Sequence, residues 1–345
     1  MAELFSYERC VSLGDMMSIL GYFEKYFAIS YSQNIYHYTD ITGFLGIIKN
    51  REFWVSHIHF MNDRREYVEG KDRSKRIITA MLNTHAEQEN EILATVLKHL
   101  DNEVSLGIFP ISSKDVFSLS FSGNRDSLDM WRGYGSKSGI AIGFDTELSS
   151  LRLPGLSVMR KEQYADELIK QGTVPEQLMP GKGRRLFVKN IIYDPEKMDA
   201  VITEAIKMGI DRFNFMDKNA HYGAIESAAE CIVATLFALF PFMKNNGFKN
   251  EEECRMVENF GSNRDVPLDI HYRERNGIML PFIKYVILDM DCRPLKQWPI
   301  SEIVVGPGLR QQMLADSIKY FLNQQGMPEL SEKVVCSSIP FVPHN

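Results

Sequence analysis

The sequence predicts a mixed α+β fold. Short runs rich in β-branched and aromatic residues recur along the chain, amphipathic helical stretches separate them, and no segment repeats at a fixed period. The distinctive segments extend from residue 36 to residue 308, which favours one domain carrying helical insertions over two separable domains. The expected organisation is a helical lead-in over 1–30 and a single domain over 31–345, with insertions near 62–102 and 195–240.

Met16, Met17, Leu20, Phe23 and Phe27 stand at helical spacing and define the lead-in. Ile35 to Thr39, IYHYT, reads as a strand because β-branched and aromatic residues suit a pleated, half-buried surface. Tyr36 and Tyr38 then share one face and His37 takes the other. Thr39 or Asp40 can accept from the first free amides of a helix striped by Phe44, Leu45, Ile47 and Ile48. EFWVSHIHFMND is a second strand, and its Asn62 and Asp63 are placed to cap a charged helix; EQENEILATVLKHL continues the helical run to about residue 102. Residues 115–145 read as strand, polar turn, short helix and a second strand rich in small residues. LFVKNIIYD leads at Pro195 into helices that persist to about residue 240. A loop, three glutamates and a strand from Cys254 follow, then FIKYVILDM, EIVVGP, a helix around 310–324 and a last strand near KVVCSS.

The net charge of -6 argues against broad electrostatic binding to nucleic acid or an anionic membrane. The N-terminus has no basic start followed by an unbroken apolar run, so a cytoplasmic protein is expected. Five scattered cysteines with no C-x-x-C spacing read as reduced packing residues, and no metal is implied. The apolar run 231–243 has 13 residues and a proline, short of the roughly 20 that span a bilayer; it reads as a buried helix ending near Pro241.

Three polar features are candidates to line one cleft. His37 is the first. Ser118, Ser120 and Ser122 project together from SLSFS while Leu119 and Phe121 face away. Glu251 and Glu253, in an extended segment, send both carboxylates to one side. Like charges this close raise each other's pKa and call for a cation or a chemical use. Arg255 is the candidate internal partner. Trp131 and Tyr134, three apart, share a helical face, with Trp131 suited to anchor the core.

YHYT at 36, FMND..E ending at Glu66, SFS......MWRGYG...GIAIGFD, F..EEECR at 248–255 and IVVGP at 303 together resemble a largely bacterial family of unknown function, DUF2971. The same set is similar, more distantly, to the ADP-ribosyltransferase fold, a split mixed sheet around an NAD cleft. That resemblance implies a split mixed β-sheet core with large helical insertions. It implies Glu253 as the catalytic carboxylate, Glu251 as the group handling the acceptor, and His37, Tyr38, Thr39, Ser120, Ser122, Trp131, Tyr134 and Arg255 around NAD. A first-strand histidine with a Glu-x-Glu motif mixes two patterns of that fold, which leaves the acceptor class open.

The residue types suit the chemistry. Cleavage of the nicotinamide–ribose bond passes through an oxocarbenium-like state that a nearby carboxylate stabilises. The expected function is transfer of ADP-ribose from NAD to an unknown acceptor or to water. One alternative is a non-enzymatic nucleotide- or protein-binding module of the same fold, including a defence or toxin-type component. The other is a phosphate- or nucleic-acid-handling protein using Lys244, Lys249 and Arg255, although no G-x-x-x-x-G-K-[ST] loop is present.

Overall fold

A computed structural model describes residues 22–27, 34–61, 66–102, 116–134, 139–145, 155–160, 184–215, 223–259, 269–275, 277–287 and 298–340. Met16, Met17 and Leu20 of the lead-in, the capping residues Asn62 and Asp63, and the side chains of Glu66 and Tyr134 lie outside the described residues.

The fold is α+β, with a mixed, mostly antiparallel sheet. Its strands are β1 (Ile35–Thr39), β2 (Glu52–His57), β3 (Val116–Ser122), β4 (Ile140–Phe144), β5 (Gly155–Arg160), β6 (Arg184–Asn190), β7 (Glu253–Asn259), β8 (His271–Arg275), β9 (Ile278–Ile287), β10 (Ile300–Val305) and β11 (Val334–Cys336). Their order is β11-β10-β4-β1-β3-β2-β9-β5-β6-β7, with β8 attached to β9. Strand β7 also pairs along the whole of β3, so β3, β2, β9, β5, β6 and β7 close into a ring. Closure leaves these strands few open edges, the common hazard of an isolated sheet.

Alternation decides what each strand buries. Phe53, Val55, Phe117, Leu119, Phe121, Cys254, Met256, Ile283 and Tyr285 belong to one apolar core. The intervening residues, among them Trp54, Ser56, Ser118, Ser120, Glu253 and Arg255, share the other side of the strands.

The feature that makes a site is a split in this sheet. On one edge β3 is fully paired with β7. On the other, Ser118 stands opposite Ser56 of β2 and Ser122 opposite Tyr36 of β1, while residues 119–121 pair with neither strand. From there β1 continues into β4 and β10, and β2 continues into β9. The two halves diverge at β3.

The two helical insertions are one layer. Helices α3 (Glu66–Met81) and α4 (Glu87–Asn102) pack with α6 (Pro195–Phe215) and α7 (Ala224–Leu239) in a second core that also takes Phe23 and Phe27, just before and at the end of α1 (Glu24–Phe27). Gly209 of α6 lets α7 approach, because a Cβ there would lie 2.2 Å from Ile232 Cγ1. The apolar run is longer than its sequence bounds suggested: with its 3₁₀ extension it spans Ala224–Phe242, 19 residues, enough to cross a membrane by length and hydropathy. It is a core element nonetheless, 78% buried inside the protein. The remaining helices are α2 (Ile41–Asn50), α5 (Leu128–Tyr134), α8 (Gln311–Gln324) and α9 (Pro328–Ser331).

Candidate functional site

A cleft of about 470 Å³ opens where β1 and β2 part. Ser118 to Phe121 of β3, at and beside the stretch that neither β1 nor β2 covers, form its floor. One wall is the end of β1 and the start of α2, from His37 to Gly43. Trp54, Ser56, Arg273 and Glu274 line the cleft from β2 and β8, and Glu251 and Glu253 complete the lining. His37, Tyr38, Thr39, Ser120, Glu251 and Glu253 are thus brought together from three separate segments.

His37 answers the split. Register places Tyr36 beside Ser122, so the tyrosines share the serines' side and His37 turns to the other. Its ring packs edge-on against Phe121 and Phe53, at centroid distances of 5.8 and 6.4 Å. Its Nδ1–H donates to the carbonyl oxygen of Ser120 across 2.9 Å, on the edge of β3 where neither β1 nor β2 pairs with that residue. Histidine here replaces a ladder bond, and it is among the residues that line the cleft.

Helix α2 is positioned by a tight N-terminus. Asp40 is extended and accepts from Gly43 N–H at 2.7 Å, settling the capping choice between Thr39 and Asp40. A Cβ on Gly43 would fall 2.0 Å from Thr39 Oγ1, so a larger residue would displace the Thr39 side chain from this turn.

The glutamate end departs from expectation. Glu251 is not extended: it ends a 3₁₀ turn over Asn246–Glu251, and Glu252 is left-handed with φ 43°. Both flanking carboxylates nevertheless meet one ammonium, Lys244 Nζ, at 2.7 Å from Glu251 and 2.9 Å from Glu253. Arg255 grips Glu253 with two bonds, Nε at 2.6 Å and Nη2 at 2.8 Å, and donates through Nη1 to the carbonyl of Pro241 at 2.8 Å. Two anions and two cations balance. Burial pushes the Glu253 carboxyl up, but Arg255 and Lys244 more than offset it and hold it at about 2. Burial raises the Glu251 carboxyl above its ordinary value, with Lys244 pulling the other way.

Several expected cofactor contacts are corrected by this geometry. Arg255 is fully buried and committed to Glu253, because residues two apart on a strand face the same way; it is an internal partner and not a ligand contact. Ser122 is buried, donates to the Glu251 carbonyl at 2.6 Å and accepts from Asn124 N–H, so it fastens the glutamate turn. Trp131 is a core anchor: its Nε1–H donates to Asp126 at 2.7 Å and its ring packs on Tyr38 and over Gly306. Tyr38 lines the cleft with its hydroxyl turned to the Asn124 carbonyl, and burial pushes that hydroxyl's pKa up. The cation trio proposed for phosphate or nucleic acid also dissolves, since Lys244 and Arg255 are buried among carboxylates and only Lys249 is exposed.

The sequence reading missed Arg273, Trp54, Ser56 and Glu274. Alternation in HYRER marks a strand, but nothing local shows that β8 folds over β2 through β9. The described residues hold no cluster of three or more potential metal ligands.

Residues 130–256 match the model of a family described as protein of unknown function (DUF2971). The DUF2971 resemblance is borne out over this segment. The DUF2971 segment carries the whole glutamate end of the cleft, while His37, the floor serines and Arg273 lie outside it. The imidazolonepropionase of Fusobacterium nucleatum subsp. nucleatum is 20% identical over 164 residues, covering 48% of this chain and 40% of that protein. The chain therefore matches well under half the length of that relative. No solved structure matches.

Proposed function

We propose that the cleft binds NAD and that the protein cleaves the nicotinamide–ribose bond, passing ADP-ribose to an acceptor or to water. The observation that carries this reading is the meeting of His37, Ser120, Glu251 and Glu253 at the split of the sheet. The roles of the two glutamates are exchanged relative to the sequence argument. A carboxylate gripped by Arg255 and Lys244 has little charge left for an oxocarbenium, so Glu253 fixes Lys244 and the turn. Glu251, partly exposed and held by Lys244, faces the ribose and stabilises the developing positive charge. His37 and Ser120 hold the ligand at the floor.

The clamp on Glu253 also favours a second reading, a module that binds a nucleotide without turning it over. Calorimetry with NAD and a nicotinamide-release assay separate the two. Binding with release supports the enzyme, binding without release in the presence of cell extract supports the module, and a blank in both at millimolar NAD sinks the nucleotide reading.

His37→Ala is expected to weaken NAD binding by about 1–2 kcal/mol, the worth of one hydrogen bond, together with a loss of stability from the freed Ser120 carbonyl. Titration calorimetry alongside a thermal melt checks this. A lower melting temperature at unchanged NAD affinity would leave His37 only its role of closing the sheet.

A further inference from the structure

Beside the split in the sheet, two serines stand opposite one another on β2 and β3. Ser56 and Ser118 are register partners, 7% and 2% exposed, and both line the cleft. The Ser118 hydroxyl is buried and makes no hydrogen bond to the described residues. It carries the penalty of desolvation with nothing to offset it, a penalty that a ligand group able to bond it removes. Ser56 Oγ accepts from Arg273 Nη2 at 3.0 Å, which leaves its own O–H to donate elsewhere.

The charges around these hydroxyls do not call for an anion. Asp40, Glu251, Glu253 and Glu274 line the cleft, against Arg273 in the same lining and the buried Lys244 and Arg255 that hold the glutamates. Asp40 and Glu274 accept from Gly43 N–H and Gly277 N–H, bonds that leave their negative charge in place. Carboxylates therefore outnumber cations, which favours an uncharged or cationic group. Ile47, Trp54, Leu119, Phe121 and Met130 add apolar surface suited to a planar ring.

We infer that Ser56 and Ser118 form a carboxamide subsite that receives the nicotinamide end of NAD. A carboxamide both accepts and donates hydrogen bonds, as a serine hydroxyl does, and the pyridinium ring that carries it is planar and positively charged. Register sets the order along the floor: Ser122 pairs with Glu253, Ser120 with Arg255 and Ser118 with Val257, so Ser118 lies about 7 Å beyond Ser120 and away from the glutamates. With the ribose at Ser120 and Glu251, the ring bridges that interval and brings its carboxamide to Ser118. A nicotinic acid ring in the same place would bring a carboxylate among carboxylates. The inference rests on the NAD reading and deepens it, naming the part of the ligand that this stretch of β3 selects.

The test uses the full chain and measures by calorimetry the affinity of wild type and Ser118→Ala for NAD, for its nicotinic acid analogue and for ADP-ribose, which lacks the ring. Wild type is expected to prefer NAD to the nicotinic acid analogue on the order of tenfold. Ser118→Ala is expected to weaken NAD about threefold to tenfold and to leave ADP-ribose unchanged. Its melting temperature should match or exceed that of wild type, because the substitution removes a buried hydroxyl with no partner among the described residues. If the alanine variant does not fold, Ser118→Cys keeps the volume with a weaker donor, and the same selective loss of NAD is expected. A variant that weakens ADP-ribose as much as NAD would give the hydroxyls to the ribose and overturn the carboxamide subsite. Unchanged NAD affinity in a folded variant overturns it too, as does a wild type that takes both dinucleotides equally. A wild type that binds none of the three ligands removes the NAD reading itself, and the subsite with it.

Discussion

Glu253→Gln is expected to lower the free energy of unfolding by about 3–5 kcal/mol, the usual cost of removing one partner from a buried ion pair. The substitution leaves Arg255, which is wholly buried, and Lys244, 2% exposed, without the carboxylate that joins them. Urea denaturation of wild type and variant measures the difference. Replacing the pair together, Glu253→Leu with Arg255→Met, should recover much of the loss, because apolar residues of similar volume often substitute for a buried pair at little cost. The pH dependence has a definite sign. A carboxyl held at about 2 in the fold, against 4.5 ordinarily, contributes stability that is complete above pH 4.5 and is lost as pH falls toward 2. Wild type should therefore lose stability across that window and Glu253→Gln should lose less. A variant that melts with wild type and keeps its acid profile would show the ion cluster to be energetically idle.

Glu251→Gln is expected to act on chemistry and not on folding. On the proposed reading it removes the charge facing the ribose, so nicotinamide release should fall on the order of a hundredfold or more, roughly 3 kcal/mol of transition-state stabilisation. NAD affinity should change little, because glutamine keeps the size and most of the hydrogen bonding. Lys244 keeps its bond to Glu253 when the one to Glu251 is weakened, which limits the cost to stability. Single-turnover measurement of nicotinamide release, with a parallel melt, decides the matter. An unchanged rate would return Glu251 to a purely structural role beside Lys244.

The contrast between these glutamates shows where local reasoning stops. Their proximity was legible as a spacing of two residues, and so was the candidate pairing of Glu253 with Arg255. What spacing does not contain is Lys244, brought to both carboxylates by a turn that bends away from the strand at Glu252. Trp131 shows the same limit: its helical face was readable, but Asp126, Tyr38 and Gly306, which enclose it, come from other segments.

By itself the sequence determined the α+β character, the strand of His37 with its capped helix, the common face of the serines on β3 and the buried helix before Pro241. Each is set by alternation, helical period or capping within about ten residues, where backbone geometry dictates which side chains share a face. Only the tertiary structure decided that the two helical insertions form one layer, that β7 closes a ring, that the sheet splits over residues 119–121 and that Arg273 joins the lining of the cleft. Those are pairings between segments far apart in the chain, chosen by which buried faces and hydrogen-bonding edges complement one another. A local pattern shows that an edge or face must be covered, and the assembled fold selects what covers it.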